Sequence, residues 1–378
     1  MPPVPPMSET VVETCSAELA AAKLTAEKRL PTIGDFKKAI PPECFVKSLP
    51  TSLYYMMQDF VLLGALYYTV SYFEYFGFVG LLAWYWLMGM IGSSLFVVGH
   101  DCGHGTFSDY TWVNDIFGHL THAPLLAPYW PWQKSHRQHH TYTSNLQKDR
   151  GHPWITEQNY NERSWFVRNF AKNPLSGFFR WMPLYTAVGL PDGSHFWPFS
   201  DMFSNTKERV QCVVSGAAVG LCLYIAYQLF DHNLYNMTKY YFVPVLFQGF
   251  WLVMITYLQH QYEDVQVYED GEWNYVKGSL ETLDRPYGFG IDQLMHHITD
   301  GHVAHHLFFT QLPHYNLMKA TNAIAKVLEP YGVYKKRTSY DFLWEFCRLN
   351  LRLEYLTGEG TGVLTYPNPD QQNTKKNE

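Results

Sequence analysis

The sequence predicts an all-α integral membrane protein, with four transmembrane helices and a cytosolic helical cap that carries a histidine-rich site for two metal ions. Three observations predict it. Long windows of the 378-residue chain contain no charged residue or only one. All but one of the 28 lysines and arginines fall on one side of the alternation those windows impose. Eight of the 17 histidines sit in three short boxes, and all three boxes fall on that same side.

Composition supports the membrane reading. Charged residues are 16% of the chain, against about a quarter in soluble domains, and aromatic residues reach 17%. A net charge of -6 gives no basis for nucleic-acid binding. The six cysteines (15, 44, 102, 212, 222 and 347) form no CxxC pair and read as free thiols. The first residues, MPPVPPMSETVVETCSAEL, lack a basic stretch followed by an apolar one, so no cleavable signal peptide is expected. Residues 1–30 read as a disordered cytosolic N-terminus, 31–355 as one membrane domain, and 356–378 as a polar cytosolic tail.

A spanning helix needs about 20 apolar residues. Windows 76–98, 210–230 and 240–259 meet that without a charge. A further window, 53–73, is interrupted by Asp59. If all four cross, residues 1–52, 99–209 and 260–378 share one side, with 6, 10 and 11 basic residues respectively. The opposite side keeps two short turns and a single lysine, Lys239. By the positive-inside rule both termini and the large central loop are cytosolic. The sequon Asn236-Met-Thr238 then lies in a lumenal turn. Residues 116–132 are apolar, broken by prolines and short for a span; they fit an interfacial or re-entrant piece or a buried loop. Trp84-Tyr85-Trp86 lies inside the second span, where it lines an acyl-chain pocket or simply packs helices.

The boxes are HDCGH (His100, His104), HRQHH (His136, His139, His140) and HVAHH (His302, His305, His306). Their members recur at i,i+3 and i,i+4, which brings imidazoles onto one helix face. Neutral imidazoles aimed at one point ligate iron, zinc, copper or nickel. Eight nitrogens exceed the four of a structural zinc and suit two ions with open positions. No HExxH occurs, which removes the metalloprotease signature. His260, ending the fourth window, and His296, six residues before the third box, are further candidate ligands. Asp101, Asp149 and Asp300 stand close to the boxes and are candidates for orienting ligand imidazoles through the second ring nitrogen. His119, His122, His152, His195, His232 and His314 fit no box, and His297 is left open. A histidine-rich membrane protein that binds metal or senses pH without catalysis, and a membrane zinc hydrolase, remain rival readings.

The boxes and their flanks, HDCGHGTFSDY, PWQKSHRQHHTYTSN, TYLQHQ and HHITDGHVAHHLFFTQLPHYNL, resemble those of membrane fatty acid desaturases of the methyl-end branch, the Δ12 and omega-3 enzymes of plants and nematodes. The similarity runs from about residue 30 to about residue 355. The resemblance implies a non-haem di-iron enzyme that uses O2 and two electrons to remove two hydrogens from an acyl chain. It implies that the eight box histidines are iron ligands, with His260 or His296 as a ninth. No HPGG motif of a fused cytochrome b5 domain occurs, so separate cytochrome b5 and its reductase are the implied electron donors. The acyl substrate is a phospholipid or a CoA ester. Lys375 and Lys376 in the final KKNE resemble a dilysine retrieval signal of the endoplasmic reticulum membrane. Δ12 desaturation of oleoyl to linoleoyl is the expected reaction, with omega-3 desaturation or a related hydroxylation or epoxidation as alternatives.

Overall fold

The computed structural model describes residues 29–152, 154–189 and 193–367. Lys375 and Lys376, and nearly all of the N-terminal stretch 1–30, lie outside the described residues.

The principal helices are α1 (Ile33–Ala39), α2 (Leu49–Tyr68), α3 (Val70–Tyr75), α4 (Gly77–His104), α5 (Thr111–His122), α6 (Tyr129–Thr141), α7 (Trp165–Lys172), α8 (Thr206–Leu229), α9 (Leu234–His260), α10 (His302–Phe308), α11 (Leu317–Leu328) and α12 (Phe342–Arg352). Two short antiparallel strands, β1 (Gln266–Tyr268) and β2 (Val363–Thr365), form the one sheet among the described residues. β2 lies beyond residue 355, in the stretch expected to be a polar tail. Leu364 is buried there in a cluster with Tyr262, Val265 and Val267, so the folded body runs on to at least Tyr366.

Among the described residues three helices are long and apolar enough to cross a membrane: α4, α8 and α9, of 28, 24 and 27 residues. At 1.5 Å per residue α4 and α9 are each about 40 Å long, and a hydrocarbon core is about 30 Å thick. Each therefore has one to two turns to spare. The window expected at 53–73 is divided, α2 ending at Tyr68 and α3 restarting at Val70 around Thr69. Its polar residues, Asp59 among them, hold its hydropathy below that of the other three. Asp59 is fully buried and accepts hydrogen bonds from Ser94 of α4 (2.9 Å) and His296 (2.8 Å).

α4 and α9 pack closely because small residues line α4. Gly89 lies against the backbone of Phe247, where an added Cβ would come within 2.6 Å of a carbonyl carbon. One turn on, the Ser93 hydroxyl donates to the Gln248 carbonyl at 3.1 Å. This is the small-residue contact by which helices associate where no hydrophobic force acts between them. Trp84, Tyr85 and Trp86 belong to the same packing. Trp84 is buried against Tyr67 and Tyr240, and Trp86 lies on Trp251 at 4.5 Å between ring centroids. That decides for helix packing over an acyl pocket. Residues 116–132 finish α5, pass through a short 3-10 turn and begin α6, and their side chains are largely buried. On α8, by contrast, Val210, Val213, Leu221, Tyr224 and Leu229 are exposed, as on a helix whose outer face meets lipid.

Candidate metal centre

α4 and α9 each end on histidine: His100 and His104 occupy the last turn of α4, and His260 is the final residue of α9. α6 brings the second box and α10 the third. α10 starts directly after Gly301, where a Cβ would meet Leu317 at 2.9 Å, so the helix can enter tightly beneath α11. The four helices converge to make two histidine groups, buried except for half-buried His136. His100, His104, His136, His140 and His305 form the first, one ring nitrogen of each lying within 4.8 Å of all the others. His139, His260 and His306 form the second on the same criterion. His302 adjoins it, its Nε2 3.1 Å from Nε2 of His260.

The division follows from helix geometry. Successive side chains on a helix diverge by about 100°. His139 and His140 on α6 therefore face different groups, and so do His305 and His306 on α10. Each HH pair supplies one imidazole to each group.

The donors suit metal ions. A metal about 2.1 Å from each imidazole nitrogen sets neighbouring nitrogens about 3.0–3.4 Å apart. The Nε2 atoms of His100 and His104 are 3.1 Å apart, those of His136 and His140 3.0 Å, and those of His140 and His305 3.1 Å. The Nε2 of His306 is buried and has no hydrogen-bond partner, while its Nδ1 bonds Thr143 at 3.0 Å. Burial and the surrounding imidazoles hold His136, His140, His305 and His306 well below the ordinary histidine range, and burial takes His302 down to about 3. All five are thus neutral at physiological pH, the form that ligates.

The outer nitrogens are fixed by partners that set the tautomer. His139 Nδ1 donates to Asp149 at 2.8 Å, and Asp149 also accepts from the backbone N–H groups of Ser144 and His152. His302 Nδ1 donates to the Ile298 carbonyl at 3.1 Å. Asp149 thus bonds a box histidine. Asp101 and Asp300 do not: Asp101 holds His314 (2.8 Å) and Asp300 holds His297 (3.0 Å). Asp101 follows His100 by one residue on α4, so its side chain leaves the helix about 100° away from that ligand face. His296 also stands apart. It occupies a left-handed turn with His297 (φ 52° and 61°) and gives its Nε2 to Asp59 and Ser94.

Sequence reasoning missed four residues near the centre. Trp132 stacks on His136 with ring centroids 4.8 Å apart. Thr143 holds His306, and His152 lies 5.2 Å from His260, centroid to centroid. His314, assigned to no box, is the partner of Asp101. The only signal in the sequence was nearness to the second box, for Trp132, Thr143 and His152; His314 gave none.

Comparison with known proteins decides the family. Residues 76–339 match the sequence pattern of the fatty acid desaturases. The chain belongs to the fatty acid desaturase family. This desaturase is 55% identical to the Delta(12) fatty acid desaturase fat-2 of Caenorhabditis elegans, over 94% of this chain and 96% of that one. It is 47% identical to the omega-3 fatty acid desaturase fat-1 of the same nematode, over 89% and 85%. It is 37% identical to the Delta(12)-fatty-acid desaturase of Arabidopsis thaliana, over 92% and 94%. The desaturase is an oxidoreductase acting on fatty acyl chains; its apolar helices suit a membrane protein, and its histidine groups have the make-up of candidate metal sites.

Proposed function

We propose that this desaturase introduces a cis double bond at the Δ12 position, converting oleoyl to linoleoyl chains, with two iron ions held by nine histidines. The observation that carries the chemistry is the pair of buried, carboxylate-free histidine groups. His100, His104, His136, His140 and His305 hold one ion, and His139, His260, His302 and His306 the other. His260, within the second group, is thus the ninth ligand in preference to His296. The regioselectivity rests on the identity to the nematode Delta(12) enzyme over nearly the whole of both chains.

An unactivated methylene has no acidic proton, so acid–base catalysis cannot begin the reaction. The iron ions, when bound, supply the oxygen activation that removes hydrogen from such a carbon. Overall one CH2–CH2 unit, O2, two electrons and two protons become CH=CH and two waters. The chain's own residues do the rest. Asp149, Thr143 and the Ile298 carbonyl lock the imidazoles of His139, His306 and His302 in orientation. Trp132 packs against His136 and covers one side of the first group. Burial keeps bulk water from the centre.

Orientation and partners follow the same reading. α2 with α3 is a fourth span, the Asp59 within it satisfied internally by Ser94 and His296. Both termini and the histidine centre face the cytosol, in the membrane of the endoplasmic reticulum, a reading supported by the charge asymmetry. Cytochrome b5 and its reductase supply the electrons from that side.

The test is the fatty acid profile of baker's yeast expressing this chain, with double bonds located by mass spectrometry. New linoleate supports the Δ12 reading. The resemblance to the omega-3 enzyme favours a second reading: no product from oleate, but an omega-3 acid once linoleate is supplied. No product from either substrate, with the protein present in membranes, overturns both.

A further inference from the structure

We infer that α12, with α7 beside it, lies in the headgroup–acyl boundary of the bilayer and seats the cytosolic cap on the membrane surface. The inference rests on reading α8 and α9 as membrane spans.

α12 has three faces. Phe342 and Phe346 press inward on α9, with ring centroids 5.7 Å from Trp251 and 5.6 Å from Phe250. Arg348 and Arg352 reach to Glu263, just past the end of α9, at 2.6 and 3.3 Å. The third face is apolar and bare: Leu343, Trp344 and Leu351 are 42%, 69% and 60% exposed. At 100° per residue these three side chains fall within one arc about 100° wide. Trp251 and Tyr257, which Phe342 and Phe346 touch, precede His260 by nine and three residues, so α12 packs on the last turns of α9, about 5 to 14 Å below the histidine centre. A helix at that depth on the side of a span stands where the bilayer begins. Its arginines turn back toward the cap.

α7 packs on α12 and adds a second bare aromatic pair, Trp165 and Phe166. Lys172 at its end pairs with Glu354, just beyond α12, at 2.6 Å. Two short amphipathic helices side by side, tryptophan outward and charged ends turned to the protein, match the composition of interfacial helices and aromatic belts.

The test uses the full-length protein in phosphatidylcholine nanodiscs, with spin labels at Trp344→Cys or Leu351→Cys and the accessible native thiols replaced by serine. Leu221→Cys on α8 and Glu359→Cys on an exposed turn serve as references. Collision with dissolved oxygen is compared with collision with a water-soluble nickel complex. Labels at 344 and 351 are expected to favour oxygen, as at 221, shifted to a shallower depth. Nickel access at both, as at 359, with lipid at 221, overturns this inference alone. Low access to both reagents at 344 and 351 also overturns it, because a protein surface then covers the arc. Nickel access at 221 overturns the span reading and this inference with it.

Discussion

At His139–His140 and again at His305–His306, adjacent imidazoles turn to different histidine groups, so each residue of a pair has its own consequence. His260 and His296 provide the sharpest contrast. His260→Ala removes a proposed ligand, and the purified protein is expected to hold about one metal ion fewer and to make no product. His296→Ala is expected to keep both ions and to lose stability instead, by about 1.5–3 kcal/mol, because Asp59 loses a hydrogen bond to a charged group. Metal analysis and thermal unfolding of the two variants check this. Equal metal loss in both would contradict the assignment. Asp149→Asn leaves every ligand in place but weakens the support of His139, with an expected ~10–100-fold fall in metal affinity or turnover. The eight box histidines were legible because i,i+3 and i,i+4 spacing is a property of the sequence itself. The roles of Asp101, Asp300 and His296 were not, because proximity along the chain does not set direction. Asp101 leaves α4 on another side from His100, and the left-handed turn at His296 aims that ring at Asp59, 237 positions away.

The helices extend past the uncharged windows that announced them. Window 76–98 covers the start of a helix that runs on to His104, and window 240–259 belongs to one that starts at Leu234. Polar residues end an apolar window without ending a helix, and the extra turns of α4 are what carry His100 and His104 to the centre. Packing between α4 and α9 was less legible, since a glycine in a span reads as neutral until its neighbour is known. Gly89→Ala puts a methyl carbon against the Phe247 backbone, and the overpacking is expected to cost about 1–3 kcal/mol. A lowered melting temperature in detergent is the expected result, and an unchanged one would mean that the two helices do not approach as closely as described. Gly103 plays the corresponding part near the site, where a Cβ would come within 2.9 Å of the Trp132 ring that stacks on His136.

For the whole molecule, burying so many neutral imidazoles ties stability to pH. His136, His140, His302, His305 and His306 are held below the ordinary value of about 6.5, so the unfolded chain binds more protons than the folded one once pH falls below it. Stability is therefore complete above about pH 6.5 and declines as pH drops beneath it. The melting temperature is expected to fall between pH 7 and pH 5, and a flat profile would contradict the neutral, buried state of these groups. The overall plan, apolar helices with the histidine boxes gathered at one end, was legible in the uncharged windows and the one-sided basic residues. The β1–β2 pair and the seating of α12 were not, because short strands and amphipathic helices carry weak local signals. The central claim is that two groups of five and four histidines hold two iron ions and that this centre performs the desaturation. The most direct measurement is the metal content of purified, active protein, determined together with product formation. Two iron ions per chain, with activity lost as iron is removed and regained as it is restored, is the predicted result. Full activity in protein holding one ion per chain, or holding only zinc, would contradict it.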